Sequence, residues 1–307
     1  MRQSIATFFR LNSGSPILRI GLLAGYLALS AGCSKLGIGD KGPTAPSPLP
    51  TVGSTIVYTA IGASDANGVG SSAQCVPFTD CPNGMGYVPV TVRQLRSQGY
   101  TVNHLNLGIA TTVIGRDFQN LGQQYDHLVA GNFIEAEMPF VQMTATTVTI
   151  FAGINEVNVI TAALGGGAGG SDPNGFIDAQ VRAFGTDYAT LLAGIKARAG
   201  QPRIIALNVP NAAGLPYLAR AAPAQRQAAQ RISVGMSKTV VNALTAQNVV
   251  VIDLMCDARS YMTSNYSSDG LHPNDAGYAF IAAEVVRAIT SSYPAPQSSC
   301  SQMTIVP

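Results

Sequence analysis

Tyr58-Thr-Ala-Ile-Gly-Ala-Ser64-Asp-Ala-Asn-Gly68 is the stretch on which the reading of the chain turns. Residues 55–60 are apolar and β-prone, the run stops at Gly62, and a serine follows in a turn of small residues. A strand that ends in Gly-x-Ser lifts the hydroxyl to the carboxyl edge of a sheet, where open α/β folds build their sites. Gly and Ser also make ordinary turns. A serine nucleophile needs a base and a group to orient that base. The rest of the chain must supply them.

Near the other end it does. Ser268-Asp269-Gly-Leu-His272-Pro273 sets an acid and an imidazole three residues apart, just ahead of an apolar-periodic helix. A serine hydroxyl is a poor nucleophile until a base takes its proton, and imidazole, with a pKa of about 6.5, suits neutral pH. Asp269 would accept the other ring N–H, fixing the tautomer and stabilising the imidazolium. Two more segments lie between these ends. Asn106-Leu-Gly108-Ile-Ala follows a second apolar strand, and Phe151-Ala-Gly153-Ile-Asn155-Glu156 follows a third.

Four strand-end motifs in this order resemble the SGNH (GDSL-type) hydrolase family, over residues 54–290. The resemblance implies an α/β fold, a three-layer α/β/α sandwich on a five-stranded, mostly parallel sheet in flavodoxin-like order. It implies ester hydrolysis through an acyl-enzyme, with Ser64, His272 and Asp269 as the catalytic residues and no metal or cofactor. The oxyanion donors it implies are the backbone N–H groups of Ser64 and Gly108 and the side-chain amide of Asn155. Such donors are commonly worth about 3 kcal/mol each. Gly153 would permit the tight turn that aims Asn155, and Gly108 would allow close approach of backbone to substrate. Two positions depart from the family pattern: Gly62-Ala63-Ser64 replaces Gly-Asp-Ser, and Asn155-Glu156 replaces Asn-Asp. Neither replaced acid is one of the functional positions, so activity is expected to survive. His104 and His127 lie outside every motif and are assigned structural roles.

The amino-terminal residues read as an address. Arg2, Arg10 and Arg19 precede or flank a short apolar core at residues 20–29, too short to span a bilayer comfortably. Ser30-Ala31-Gly32-Cys33 resembles a bacterial lipobox, with Cys33 the residue to be diacylated; Leu29 sits one place early. Ordinary signal cleavage nearby is the alternative. Residues 1–32 are then a signal peptide, 33–54 a Pro- and Gly-rich tether, 55–292 the hydrolase domain and 293–307 a carboxyl tail. Three of the 18 basic residues lie in the signal, leaving 15 against 16 acids. The near-neutral, low-charge chain has no basic run, which excludes nucleic acid as a partner.

Five cysteines are an odd number for an exported chain. With Cys33 lipidated, Cys75, Cys81, Cys256 and Cys300 remain for an oxidising compartment. Cys75–Cys81 and Cys256–Cys300 are expected, one of three possible connectivities. A zinc site is the alternative, weakened by the lack of a Cys-x-x-Cys pair and the scarcity of histidine.

The elements expected besides the motif strands are helices at 88–98, 177–198, 223–247 and 274–291, and strands at 203–209 and 249–254. Residues 118–129 carry a mixed pattern on an ill-defined loop. Residues 164–175 are too Gly-rich for regular structure, and read either as a mobile flap over the acyl pocket or as a slack surface insertion. The function expected is an exported serine esterase or lipase, monomeric, tethered to a membrane of the bacterial cell envelope. In a Gram-negative cell Ser34 suggests the outer membrane. The alternatives are an O-acetylesterase acting on carbohydrate or peptidoglycan, and a non-catalytic surface binding protein on the same scaffold.

Overall fold

The structure, a computed structural model, describes residues 48–307. Strands β1 (Thr55–Gly62), β2 (Thr101–Asn106), β3 (Thr147–Phe151), β4 (Arg203–Leu207) and β5 (Val250–Ile252) form one sheet in the order β2-β1-β3-β4-β5. Every neighbouring pair is parallel. This is the flavodoxin-like order, and its switch point, where ligands bind in such sheets, lies between β1 and β3.

The strands are buried on both faces, so their sequences read as apolar runs rather than strict alternations. Period-two geometry still sorts their side chains. Val148 and Ile150 join Ile204 and Ala206 on one face, while Ile205 and Leu207 join Tyr58 and Ile252 on the other. The first face is covered by α3 (Arg116–Gln124), α5 (Ile154–Gly165), α6 (Pro173–Ala199) and α7 (Pro223–Gly235). The second is covered by α2 (Tyr87–Ser97) and α8 (Asp275–Thr290). A three-layer α/β/α sandwich results. The register sets Gly62 level with Phe151 and Phe151 level with Leu207, so the strands that matter most end along one edge.

Four regions differ from expectation. Residues 118–129, expected as an ill-defined loop, begin within a regular helix, α3. Residues after Gly153, for which no element was expected, form α5, which buries Val157, Val159, Ile160 and Ala163 against the sheet. The glycine-rich stretch 164–175 is mostly absorbed by its neighbours. Leu164 and Gly165 end α5, and Pro173 opens α6, whose N-cap Asp172 accepts a hydrogen bond from the Gly175 N–H at 2.8 Å. Only residues 166–172 connect the two helices. The helical stretch expected over 223–247 is present, but it changes pitch after α7 to a π-helical Met236–Val241 and a 3₁₀ Asn242–Gln247.

Both disulfides are those expected, Cys75–Cys81 and Cys256–Cys300. The second fastens the carboxyl tail beside β5. The signal peptide and Cys33 lie outside the described residues. Of the tether only residues 48–54 are described, and they form no helix or strand.

Candidate active site

Ser64 stands where the fold analogy puts a nucleophile. β1 ends at Gly62, and Ser64 opens a four-residue helix, α1 (Ser64–Asn67), closed by Gly68 in the left-handed conformation. The side chain is nearly buried, and its Oγ lies 2.9 Å from His272 Nε2. His272 Nδ1 lies 2.7 Å from Asp269 Oδ2. Ser64 thus joins His272 and Asp269, more than two hundred positions further along the sequence, in one continuous chain of hydrogen bonds.

The loop that carries the acid and the base is built to hold them. Asp269 Oδ1 accepts from the backbone N–H groups of Leu271 and His272 and from the Ser267 hydroxyl, at 2.8, 2.9 and 2.8 Å. Partial burial alone would raise this carboxyl. The His272 ring and these donors outweigh it and hold the acid down at about 2. Asp269 is therefore a carboxylate throughout the neutral range, able to keep a proton on Nδ1 and leave Nε2 as the base toward Ser64. Asn274 ties the loop to the helix behind it: its Oδ1 caps α8 through the N–H groups of Ala276 and Gly277, and its amide donates to the Ser264 and Tyr266 carbonyls. Asp275 reaches across to accept from the Ser72 N–H and hydroxyl, fastening the histidine loop to the nucleophile side.

The expected oxyanion donors lie along the same edge, and two of the three are partly engaged already. Ser64 N–H belongs to the first turn of α1, where backbone donors lack intrahelical partners. Gly108 follows β2, and a Cβ there would meet Ala66 Cβ at 2.5 Å. Glycine is therefore required by contact with the nucleophile turn, not only by approach to a substrate. Its N–H is engaged by the Asn106 Oδ1 at 3.1 Å, which must share or release it when an oxyanion forms. Asn155 sits in the first turn of α5, after Gly153 with φ of 128°, where a Cβ would meet Val209 at 2.7 Å. One amide hydrogen of Asn155 goes to the Thr112 carbonyl at 2.7 Å, leaving the second for a ligand.

Two buried acids brace the loop that follows Gly108. Thr111 has φ of 65°, an uncommon conformation for a β-branched residue that costs about 1–3 kcal/mol. Next to it, Thr112 approaches Glu137, and the Ile114 N–H donates to Glu156. Burial pushes the Glu137 carboxyl well up and the Glu156 carboxyl up to about 7. Nothing in the sequence singles out Glu137. Asp65 is the other surprise: it is buried beside Ser64 and its carboxyl is raised by that burial, partly countered by His272.

A cavity of about 40 Å³ opens at Ser64, Asn155 and His272, walled by apolar side chains that include Ile154, Val209, Leu215 and Leu271. Leu271 also lines a larger groove of about 1390 Å³, between α5, α7 and the turn after Gly165, to which Asn158, Tyr217 and Gln225 contribute. Among the described residues no three His, Cys, Asp or Glu side chains cluster as a metal site would require. His104 is placed 3.6 Å from Asp80, away from this site; His127 lines the far part of the groove.

Residues 44–280 match the model of the GDSL-like lipase/acylhydrolase family. The chain belongs to that family. It is an ester hydrolase. A lipase from a goat rumen metagenome aligns with a TM-score of 0.53 at 17% identity, covering 77% of this chain and 98% of that one. The extracellular lipase of Streptomyces rimosus aligns with a TM-score of 0.54 at 14% identity, covering 77% and 100%. An acetyl xylan esterase from Geobacillus stearothermophilus aligns with a TM-score of 0.49 at 16% identity, covering 79% and 99%. The two lipase likenesses speak to the fold of the GDSL-like hydrolase. None of the curated proteins matches its sequence.

Proposed function

We propose that this hydrolase cleaves carboxylic esters by a Ser-His-Asp acyl-enzyme mechanism with a preference for short acyl groups. The hydrogen-bonded chain from Ser64 through His272 to Asp269, at 2.9 and 2.7 Å, carries the reading. His272 Nε2 takes the proton from Ser64 Oγ as the oxygen attacks the ester carbonyl, and Asp269 stabilises the imidazolium that forms. The Ser64 and Gly108 N–H groups and the Asn155 amide receive the developing oxyanion. His272 returns its proton to the departing alcohol. Water, deprotonated by the same imidazole, then hydrolyses the acyl-Ser64.

The preference for short acyl groups follows from space. A cavity of about 40 Å³ holds roughly three waters, since one needs about 10–15 Å³, and that suits an acetyl-sized group with apolar walls. The adjoining groove of about 1390 Å³ offers room for a much bulkier alcohol, with Asn158, Tyr217 and Gln225 along it. The same proportions favour an O-acetylesterase acting on a glycan over a lipase acting on long-chain lipid. The protein is exported and held at the cell envelope by a diacylated Cys33, a reading that rests on residues 1–33 and accords with disulfides that use up the four other cysteines.

A series of p-nitrophenyl esters from acetate to palmitate tests the reading, with an acetylated glycan alongside. The expected kcat/KM is highest at two to four acyl carbons. A rise toward palmitate would overturn the acyl-length assignment. A protein inert to every ester and unlabelled at Ser64 by a fluorophosphonate would overturn the serine-hydrolase mechanism.

A further inference from the structure

Glu137 takes no part in the chemistry just proposed, yet it is fully buried at 0% exposure. It stands after α4 (Phe133–Ala136), where a single turn, Met138–Phe140, begins. From there its carboxyl reaches into the active-site edge. Oε2 accepts from the Gly62 N–H at 3.0 Å, two residues before the nucleophile. Oε1 lies 3.2 Å from the Thr112 hydroxyl oxygen, on the loop that carries Gly108. Thr112 in turn offers its carbonyl to the Asn155 amide at 2.7 Å. The Asn155 amide is thus tied to this carboxyl through Thr112, and its two contacts flank the other expected donors, two residues before Ser64 and four after Gly108.

The hydrogen count says which way the bridge runs. Thr112 has a single hydroxyl hydrogen, and it is donated to the Ile109 carbonyl at 2.6 Å. The contact between Thr112 and Glu137 must then be donated by the acid. A neutral carboxyl satisfies both of these contacts, one oxygen accepting from Gly62 and the other donating to Thr112, while the Ile109 backbone is a further donor to the same group. Burial favours that neutral form. Ala63 brings no polar side chain to this turn, so the carboxyl arrives from a different part of the chain.

We propose that Glu137 is the positioning residue of the oxyanion hole, a neutral bridge that locks the nucleophile turn and the 108–114 loop into one geometry. The inference rests on the serine-hydrolase reading of the site. A carboxyl that served only to fill the core would affect the stability of the protein and leave kcat in the folded enzyme alone.

The test is steady-state hydrolysis of p-nitrophenyl acetate by folded full-length variants, with thermal denaturation and fluorophosphonate labelling in parallel. Glu137→Gln keeps both an acceptor and a donor, and should retain kcat within about threefold. Glu137→Ala should lower kcat by roughly ten- to a hundredfold with KM changed far less, because the donors it disorders act on the transition state. Adding Asn155→Ala to Glu137→Ala should cost clearly less than Asn155→Ala costs in the wild type, since the two share one assembly. Should Glu137→Ala fail to fold, Thr112→Val removes the partner hydroxyl with little change of shape and should still lower kcat selectively. Wild-type kcat in folded Glu137→Ala or Thr112→Val, a loss confined to KM, or strict additivity with Asn155→Ala would overturn the proposal. A Glu137→Gln variant as impaired as Glu137→Ala would overturn the neutral bridge. A wild type inert to esters and phosphonates alike would instead bring down the reading of the site, and the inference with it.

Discussion

Asp269 and Glu156 are both carboxyl groups beside the proposed Ser64 centre of this ester hydrolase, and the fold drives them in opposite directions. Asp269 lies on a half-exposed loop, surrounded by donors, and is held down at about 2. Glu156, in the first turn of α5, is buried at 1% exposure and is pushed up to about 7. Each environment fits a task. The side that activates the nucleophile needs a fixed negative charge to stabilise an imidazolium. The side that holds the oxyanion donors needs acceptors for buried N–H groups, and a second negative charge there would oppose the oxyanion. Glu137 belongs with Glu156 in this respect. The site thus divides into a charged, locally encoded half and a buried half, assembled over long sequence distances, whose raised carboxyls lean toward the neutral form.

Substitutions on the charged half should have the largest effects. Ser64→Ala and His272→Ala should each abolish ester hydrolysis, and the double variant should cost little more than either alone, because the unit fails as a unit. Asp269→Asn should fold and lose roughly ten-thousand-fold in kcat, since an amide that donates toward Nδ1 favours the wrong tautomer. Turnover of p-nitrophenyl acetate after removal of host esterases measures all of these. Activity persisting in Ser64→Ala would move the nucleophile elsewhere. On the buried half, Asn155→Ala should lower kcat by roughly a hundredfold with a smaller change in KM. A loss of KM alone would mean that Asn155 binds substrate rather than the oxyanion.

The same division explains what could be read in the chain. Asp269 and His272 lie three residues apart, and Gly62-x-Ser64 ends an apolar run, so residue type and short spacing carry the charged half almost by themselves. The parallel sheet was legible for a related reason: strands buried on both faces are continuous β-branched runs such as residues 147–151. Glu137 was not legible, because its partners are the backbone of Gly62, 75 residues away, and a threonine. An acid between Ala136 and Met138 looks like any other surface acid until the chain folds. α5 was missed because Val157, Val159 and Ile160 are β-prone. Packing of its apolar face on the sheet overrides that propensity. The glycine run misled in the opposite sense, since Gly165 ends one helix and Gly175 lies inside another.

The smallest effect expected is one of slope, and it bears on the buried half most directly. Glu156 titrates near 7 in the folded protein against a reference of 4.5. A raised acid binds its proton more tightly folded than unfolded, so its carboxyl lowers stability as pH rises from about 4.5 to about 7, and the loss levels off above that. At about 1.4 kcal/mol per unit the full cost is about 3 kcal/mol. Asp187, raised to about 6, adds a slope of the same sign. Asp269 has the opposite sign: its contribution is complete above about 4 and is lost as pH falls toward 2. Glu156→Gln keeps an acceptor for the Ile114 N–H and deletes only the titration. Urea denaturation at pH 5 and pH 8 should therefore show the wild type losing more stability than the variant over that interval, while the acid limb below pH 4 stays the same in both. Parallel pH profiles from 5 to 8 would show that Glu156 enters the folded protein ionised, and the contrast between the two halves of the site would then rest on Glu137 alone.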